Sequence, residues 1–94
     1  MPKLKYKRVL LKLSGEVLAG NSSGVFDEKI LQSLAKEVYE IQKLGCQIGI
    51  VIGGGNIWRF RDFQHLGLDR VTSDTMGMIA TVMNALAFEN ALNK

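Results

Sequence analysis

"IGIVIGGGNIWR", residues 48–59, passes from a short apolar run into three consecutive glycines and then into a segment with helical spacing. Cys46 to Ile52 has the length of a strand and is almost wholly apolar, the composition of a strand covered on both faces. A glycine-rich turn after such a strand exposes backbone N–H groups and admits a phosphate, and a following helix adds partial positive charge. One or two glycines are better read as a tight turn that merely needs small residues. Three in a row, Gly53, Gly54 and Gly55, favour an anion site.

Upstream, "YKRVLLKL" at 6–13 reads as a buried strand ending in a tight turn at Ser14-Gly15. Residues 19–25, "AGNSSGV", read as a loop. Asp27 is an N-cap candidate, and Ile30, Leu31, Leu34, Val38, Ile41 and Leu44 recur at helical spacing until Gly45 ends the pattern. Strand, helix and strand make a βαβ unit with parallel strands that end on one edge of the sheet. Ligands of such sheets bind beyond that edge, so "KLSGE" at 12–16 and "GGGN" at 53–56 are expected to line one crevice. Asn56 to His65 reads as a short helix closed by Gly67. A long helix is expected from Ser73 or Asp74 to Leu92, with Met76, Ile79, Met83 and Leu86 as its core stripe. Ala80, Ala85, Ala87 and Ala91 leave another side thin enough to lie close to a second helix, in this chain or another.

The chain has 94 residues, 47% hydrophobic and 22% charged, a globular composition with room for one small core. Its net charge of +3 is uneven: Lys3, Lys5, Lys7, Arg8 and Lys12 precede any acid, and the remaining residues sum to −2. That distribution describes a solvated basic flank and gives no reason to expect nucleic-acid binding. The single cysteine, Cys46, reads as a buried small hydrophobe. With no apolar run long enough for a membrane span and no signal-peptide pattern, the chain reads as cytoplasmic.

The Walker pattern GxxxxGK[ST] is absent, and the dinucleotide pattern GxGxxG fails at Trp58. A lysine in a buried strand costs desolvation unless it snorkels or meets an anion, and Lys12 shares its sheet edge with Ser14, Gly15 and the glycine triplet. Arg59 is placed to fork onto a second phosphate. No carboxylate pair, metal-spaced cluster or nucleophile with its base is visible, and His65, the only histidine, reads as an exposed turn residue. Electrostatics and positioning without covalent catalysis suit phosphoryl transfer.

Three blocks, "KLSGE" at 12–16, "VIGGGN" at 51–56 and "SDTMGMIATVMNALA" at 73–87, closely resemble the N-terminal part of the bacterial uridylate (UMP) kinases of the amino acid kinase family. The resemblance implies an α/β fold, a three-layer αβα sandwich around a mostly parallel sheet. It implies transfer of the γ-phosphate of ATP to UMP, with Mg²⁺ carried by ATP and no protein metal ligand in this portion. It puts Lys12, Leu13, Ser14, Gly15, Gly55 and Arg59 at ATP, with Lys12 and Arg59 catalytic, and Gly54 and Asp74 at UMP. It makes Gly20, Asn21, Ser22, Ser23, Gly24 and Val25 the region where GTP activation is felt in some members. It further implies a homohexamer and a role in pyrimidine nucleotide biosynthesis.

This sequence departs from the family pattern in places. Phe60, followed by Arg61 and Asp62, stands where a glycine usually follows the arginine and is expected to reshape the acceptor pocket. Ser73 and Thr75 flank Asp74 in place of more usual residues, changes expected to be tolerated. Members are well over twice as long, so residues 1–94 are expected to form a partial domain, the acceptor-side half, without the C-terminal nucleotide-binding half and inactive alone. Two alternatives stay open: a non-catalytic nucleotide-binding or oligomerisation module, and another family member acting on a carboxylate or carbamate.

Overall fold

The computed structural model describes residues 4–20, 24–59 and 64–94. Five elements follow in order: β1 (Arg8–Leu13), α1 (Gly15–Ala19), α2 (Glu28–Lys43), β2 (Gln47–Ile52) and α3 (Arg70–Leu92). β1 and β2 pair in parallel, with Arg8 opposite Gln47 and Leu13 opposite Ile52. Both strands therefore end on one edge, as the βαβ reading requires. The ladder runs one residue further, through Gly53 N–H to Leu13 O at 3.0 Å.

α2 begins where expected because the Asp27 carboxylate accepts from the N–H groups of Lys29 (2.9 Å) and Ile30 (3.3 Å). It ends at Leu44, after which Gly45 takes φ +99°, a conformation that a side chain strains. Leu18, Ile52 and Phe88 form the buried centre, surrounded by Leu13, Phe26, Leu31, Leu34, Val38, Ile50 and Leu92. Every element contributes to it. Cys46 is buried, as its apolar surroundings predict.

Four expectations need correction. Residues 15–19 are the helix α1 and not merely a turn, because Leu18, fully buried, anchors the segment in the core. The strands are covered on one face only: Ile48, Ile50 and Ile52 alternate inward, while Leu10 and Val51 are 74% and 48% exposed on the other face. Lys12 lies on that open face and is exposed, so it bears no burial penalty.

No helix forms over 56–59. Gly54 O accepts from both Ile57 and Trp58 N–H at 3.0 Å, which makes a single turn, while the Asn56 and Trp58 side chains bond elsewhere in the fold. Residues 64–66 make one 3₁₀ turn closed by Gly67 at φ +71°, with His65 exposed as expected, and residues 60–63 lie outside the described set.

Lastly, α3 starts at Arg70, capped by the Asp69 carboxylate on Thr72 N–H (2.7 Å), and it turns a different face inward. Ser73, Ala80, Asn84 and Phe88 are buried, whereas Ile79, Met83 and Leu86 of the expected stripe are 57%, 48% and 60% exposed. Around Gly77 and Ala80 only small residues fit on that face, because the chain at Gly54 comes too close for larger ones. Ala87 and Ala91 line a groove with Leu31, Ala35 and Tyr39, so the thin side of α3 meets α2 of the same chain.

Candidate functional site

The C-terminal strand edge brings together the two motifs that the sequence places there. Gly15 is buried, and a Cβ on it would stand 2.7 Å from Gly53 O, Gly55 N and Asn56 Oδ1. Only glycine permits this contact between the first turn of α1 and the glycine triplet. Gly54 is held from the other side: its Cβ would lie 3.0 Å from Ala80 Cβ and Gly77 O and 3.1 Å from Thr81 N, all on α3. Gly55 would meet only the Glu16 side chain, at 3.1 Å. None of the three has positive φ, so close approach is what demands glycine here.

Around this contact stand most of the other candidates. Lys12 is one rung short of the β1 terminus, opposite Val51, and Leu13 is half-buried opposite Ile52. Ser14 occupies the N-cap position of α1, extended at φ −75° and ψ 145°, and its hydroxyl makes no capping bond. Arg59 reaches back to the same place, with Nη1 3.4 Å from Glu16 Oε1. That pair is partly exposed, so it orients the guanidinium more than it stabilises the fold.

Asp74 lies within α3 instead of opening it, on the helix stretch that faces the glycine turn. It pairs with Arg70 one turn earlier (Arg70 Nε to Asp74 Oδ1, 3.0 Å) beside a notch of about 380 Å³ lined by Trp58, Ser73, Gly77 and Thr81. The Ser73 hydroxyl, 1% exposed, accepts the Trp58 indole N–H at 2.9 Å, which gives this sequence's serine a partner. Of the loop candidates, Gly20 closes α1 at φ 55° and the Val25 carbonyl accepts from Asn56 Nδ2 at 2.9 Å. Gly24 is described as well, while Asn21, Ser22 and Ser23, like Phe60, Arg61 and Asp62, lie outside the described residues.

Sequence reasoning missed two groups. Glu16 was read only as part of a block, yet it carries the contact to Arg59. Asn84 is the other: it is wholly buried and donates through Nδ2 to Gly53 O and to Asn56 Oδ1, each at 2.7 Å. Asn56 returns a bond from Nδ2 to Asn84 Oδ1 at 3.1 Å. A signal was available, since Asn84 sits four residues from Ala80 and from Phe88, on one face of the expected helix.

Among the described residues no group of three His, Cys, Asp or Glu side chains is placed to hold a metal ion, and no helix is long and apolar enough to cross a membrane. The edge as a whole joins a strand-end lysine, a small-residue crevice and an arginine, groups suited to oxyanions.

Known proteins share this fold. A crystal structure of UMP kinase from Bacillus anthracis superposes with a TM-score of 0.87 at 43% identity, over 94% of this chain and 36% of that one. UMP kinase from Ureaplasma parvum gives 0.85 at 44% identity, over 93% and 38%. The chain thus spans little more than a third of the length of these enzymes and matches the N-terminal portion of their fold. The model of the amino acid kinase family matches residues 7–94, nearly the whole sequence, and the chain belongs to that family.

Proposed function

We propose that this chain is the acceptor-side portion of a UMP kinase, which transfers the γ-phosphate of ATP to UMP and needs the rest of the family domain to do so. The observation that carries the reading is the contact of Gly15 with Gly53–Gly55 at the strand edge, flanked by Lys12 and Arg59. In-line phosphoryl transfer requires that two phosphates meet in one crevice and that cations balance the charge spread over the moving group.

In this proposal Lys12 neutralises the equatorial oxygens in transit, and its exposure leaves the ammonium ready to meet them. Leu13, Ser14, Gly15 and Gly55 bound the ATP phosphates, with the uncommitted Ser14 hydroxyl as a donor. Gly54 admits the UMP phosphate, Asp74 accepts from the ribose hydroxyls on exchange of its Arg70 pairing, and Arg59 spans both phosphates once it leaves Glu16. Mg²⁺ enters as part of the MgATP substrate. The loop from Gly20 to Val25 is the region for a GTP effect, and assembly into a homohexamer, a cytoplasmic location and a place in pyrimidine nucleotide biosynthesis complete the reading.

Coupled ADP-release assays test it. The 94-residue chain alone is expected to give no UMP-dependent turnover. The chain extended by the remaining segment of the Bacillus anthracis enzyme should give it, and Lys12→Ala should lower kcat about 10²- to 10³-fold. Turnover with acetylglutamate or carbamate and none with UMP would overturn the proposal.

A further inference from the structure

The pair of amides, Asn84 and Asn56, behind the glycine turn has a role that packing alone does not explain. Asn84 is wholly buried in a helix whose neighbouring inward positions are Ala80 and Phe88. An apolar residue there would avoid the desolvation of a carboxamide. Instead, both hydrogens of Asn84 Nδ2 are spent, on Gly53 O and on Asn56 Oδ1, and its Oδ1 accepts from Asn56 Nδ2. A flipped amide would set oxygen against the Gly53 carbonyl, so the network admits one orientation.

The consequence falls on the Gly53 peptide units. The Gly53 N–H is held by Leu13 O of the sheet and its carbonyl by Asn84 of α3, so the chain leaves the strand in a fixed direction. Asn56, three residues on, is gripped by the same side chain and also donates to Val25 O at 2.9 Å. The three-glycine segment, whose sequence favours many conformations, is thereby clamped at both ends.

We infer that Asn84, acting with Asn56, is a positioning residue that fixes the Gly53–Gly55 turn against Gly15. It sets the geometry of the phosphate crevice without touching substrate. Its significance for catalysis rests on the kinase reading above, whereas the clamp itself does not.

Amide hydrogen exchange on the 94-residue chain separates the two. Ile57 and Trp58 N–H, both bonded to Gly54 O, report the turn, while Gln47 N–H, bonded to Lys7 O, and Leu31 N–H, bonded to Asp27 O, report the sheet and α2. Asn84→Ala is expected to lower protection at Ile57 and Trp58 about tenfold and to leave Gln47 and Leu31 within about twofold. A uniform fall at all four amides, or no change at any, overturns the inference. If Asn84→Ala does not fold, Asn56→Ala removes one end of the clamp at a half-buried site, and it must loosen the same two amides selectively or the inference fails. In the extended chain of the turnover assay, either substitution should lower kcat/KM about tenfold. Unchanged turnover beside a loosened turn would end the catalytic role and leave the clamp standing, and since the exchange experiment uses no ligand, failure of the kinase reading does not touch it.

Discussion

At the scale of single residues, the glycines of the crevice separate by what surrounds them. A methyl group on Gly15 would press at 2.7 Å on backbone atoms of Gly53 and Gly55, which cannot yield without parting α1 from the turn. Gly15→Ala is therefore expected to cost about 3 kcal/mol or more. Gly54→Ala meets α3 backbone at 3.0 Å and should cost about 1–3 kcal/mol, while Gly55→Ala displaces only the flexible Glu16 and should cost under about 1 kcal/mol. Thermal melting of the three variants checks the order, at about 4–8 °C per kcal/mol for a chain of this size. The crevice was legible in the letters because glycine has few reasons to recur three times after a strand. The direction of each constraint was not, since it depends on which element passes within about 3 Å. Asn84 escaped notice for the same reason: an asparagine in a helix reads as a surface residue until its burial is known.

Among the elements, α3 departs furthest from its sequence pattern. Periodicity correctly gives a long helix, but it selects the face of Ile79, Met83 and Leu86, and the fold buries the face of Ser73, Ala80, Asn84 and Phe88. Close approach to Gly54 outweighs apolar area where a turn must lie against a helix. The start of α3 lies before the expected Ser73 or Asp74 as well, because the Asp69 carboxylate bonds the first-turn N–H of Thr72. That bond from Thr72 N–H, with a further one from its side chain, holds the Asp69 carboxyl below its ordinary 3.8. A depressed folded value contributes stability above the unfolded one and loses it as pH falls through the folded value. The cap's contribution should thus be intact at neutral pH and fade below about pH 4. Asp69→Asn keeps the cap and should flatten that part of the pH profile of stability, as followed by the circular dichroism of thermal unfolding; an unchanged profile would show that the titration lies elsewhere.

For the whole molecule, surface area sets the behaviour. The accessible surface is 7110 Å², against about 5400 Å² for a compact monomer of this mass. The extents of 55 × 25 × 19 Å and the radius of gyration of 15.5 Å, against about 12 Å for a compact chain, reflect the same excess. Much of it is apolar: Met78, Ile79, Val82, Met83 and Leu86 along the outside of α3, and Leu10 and Val51 on the open face of the sheet. Light scattering of the 94-residue chain is expected to find self-association, and a monodisperse monomer at micromolar concentration would contradict it. A discrete oligomer would favour assembly through α3, whereas heterogeneous aggregates would favour the bare sheet face.

The strand register carries a consequence for the order of folding. Every rung of the ladder, from Arg8 with Gln47 to Leu13 with Ile52, joins residues 39 positions apart. No rung can form cheaply from an open chain, because the full entropy of closing that loop falls on the first one and later rungs follow at little further cost. α2 shortens the problem by turning sixteen of the intervening residues into a rod, with its cap at Asp27 nucleating from local sequence alone. The sheet edge that carries the crevice is thus expected to be a late product of folding, assembled after the helix between its strands has drawn Lys12 and Gly53 together.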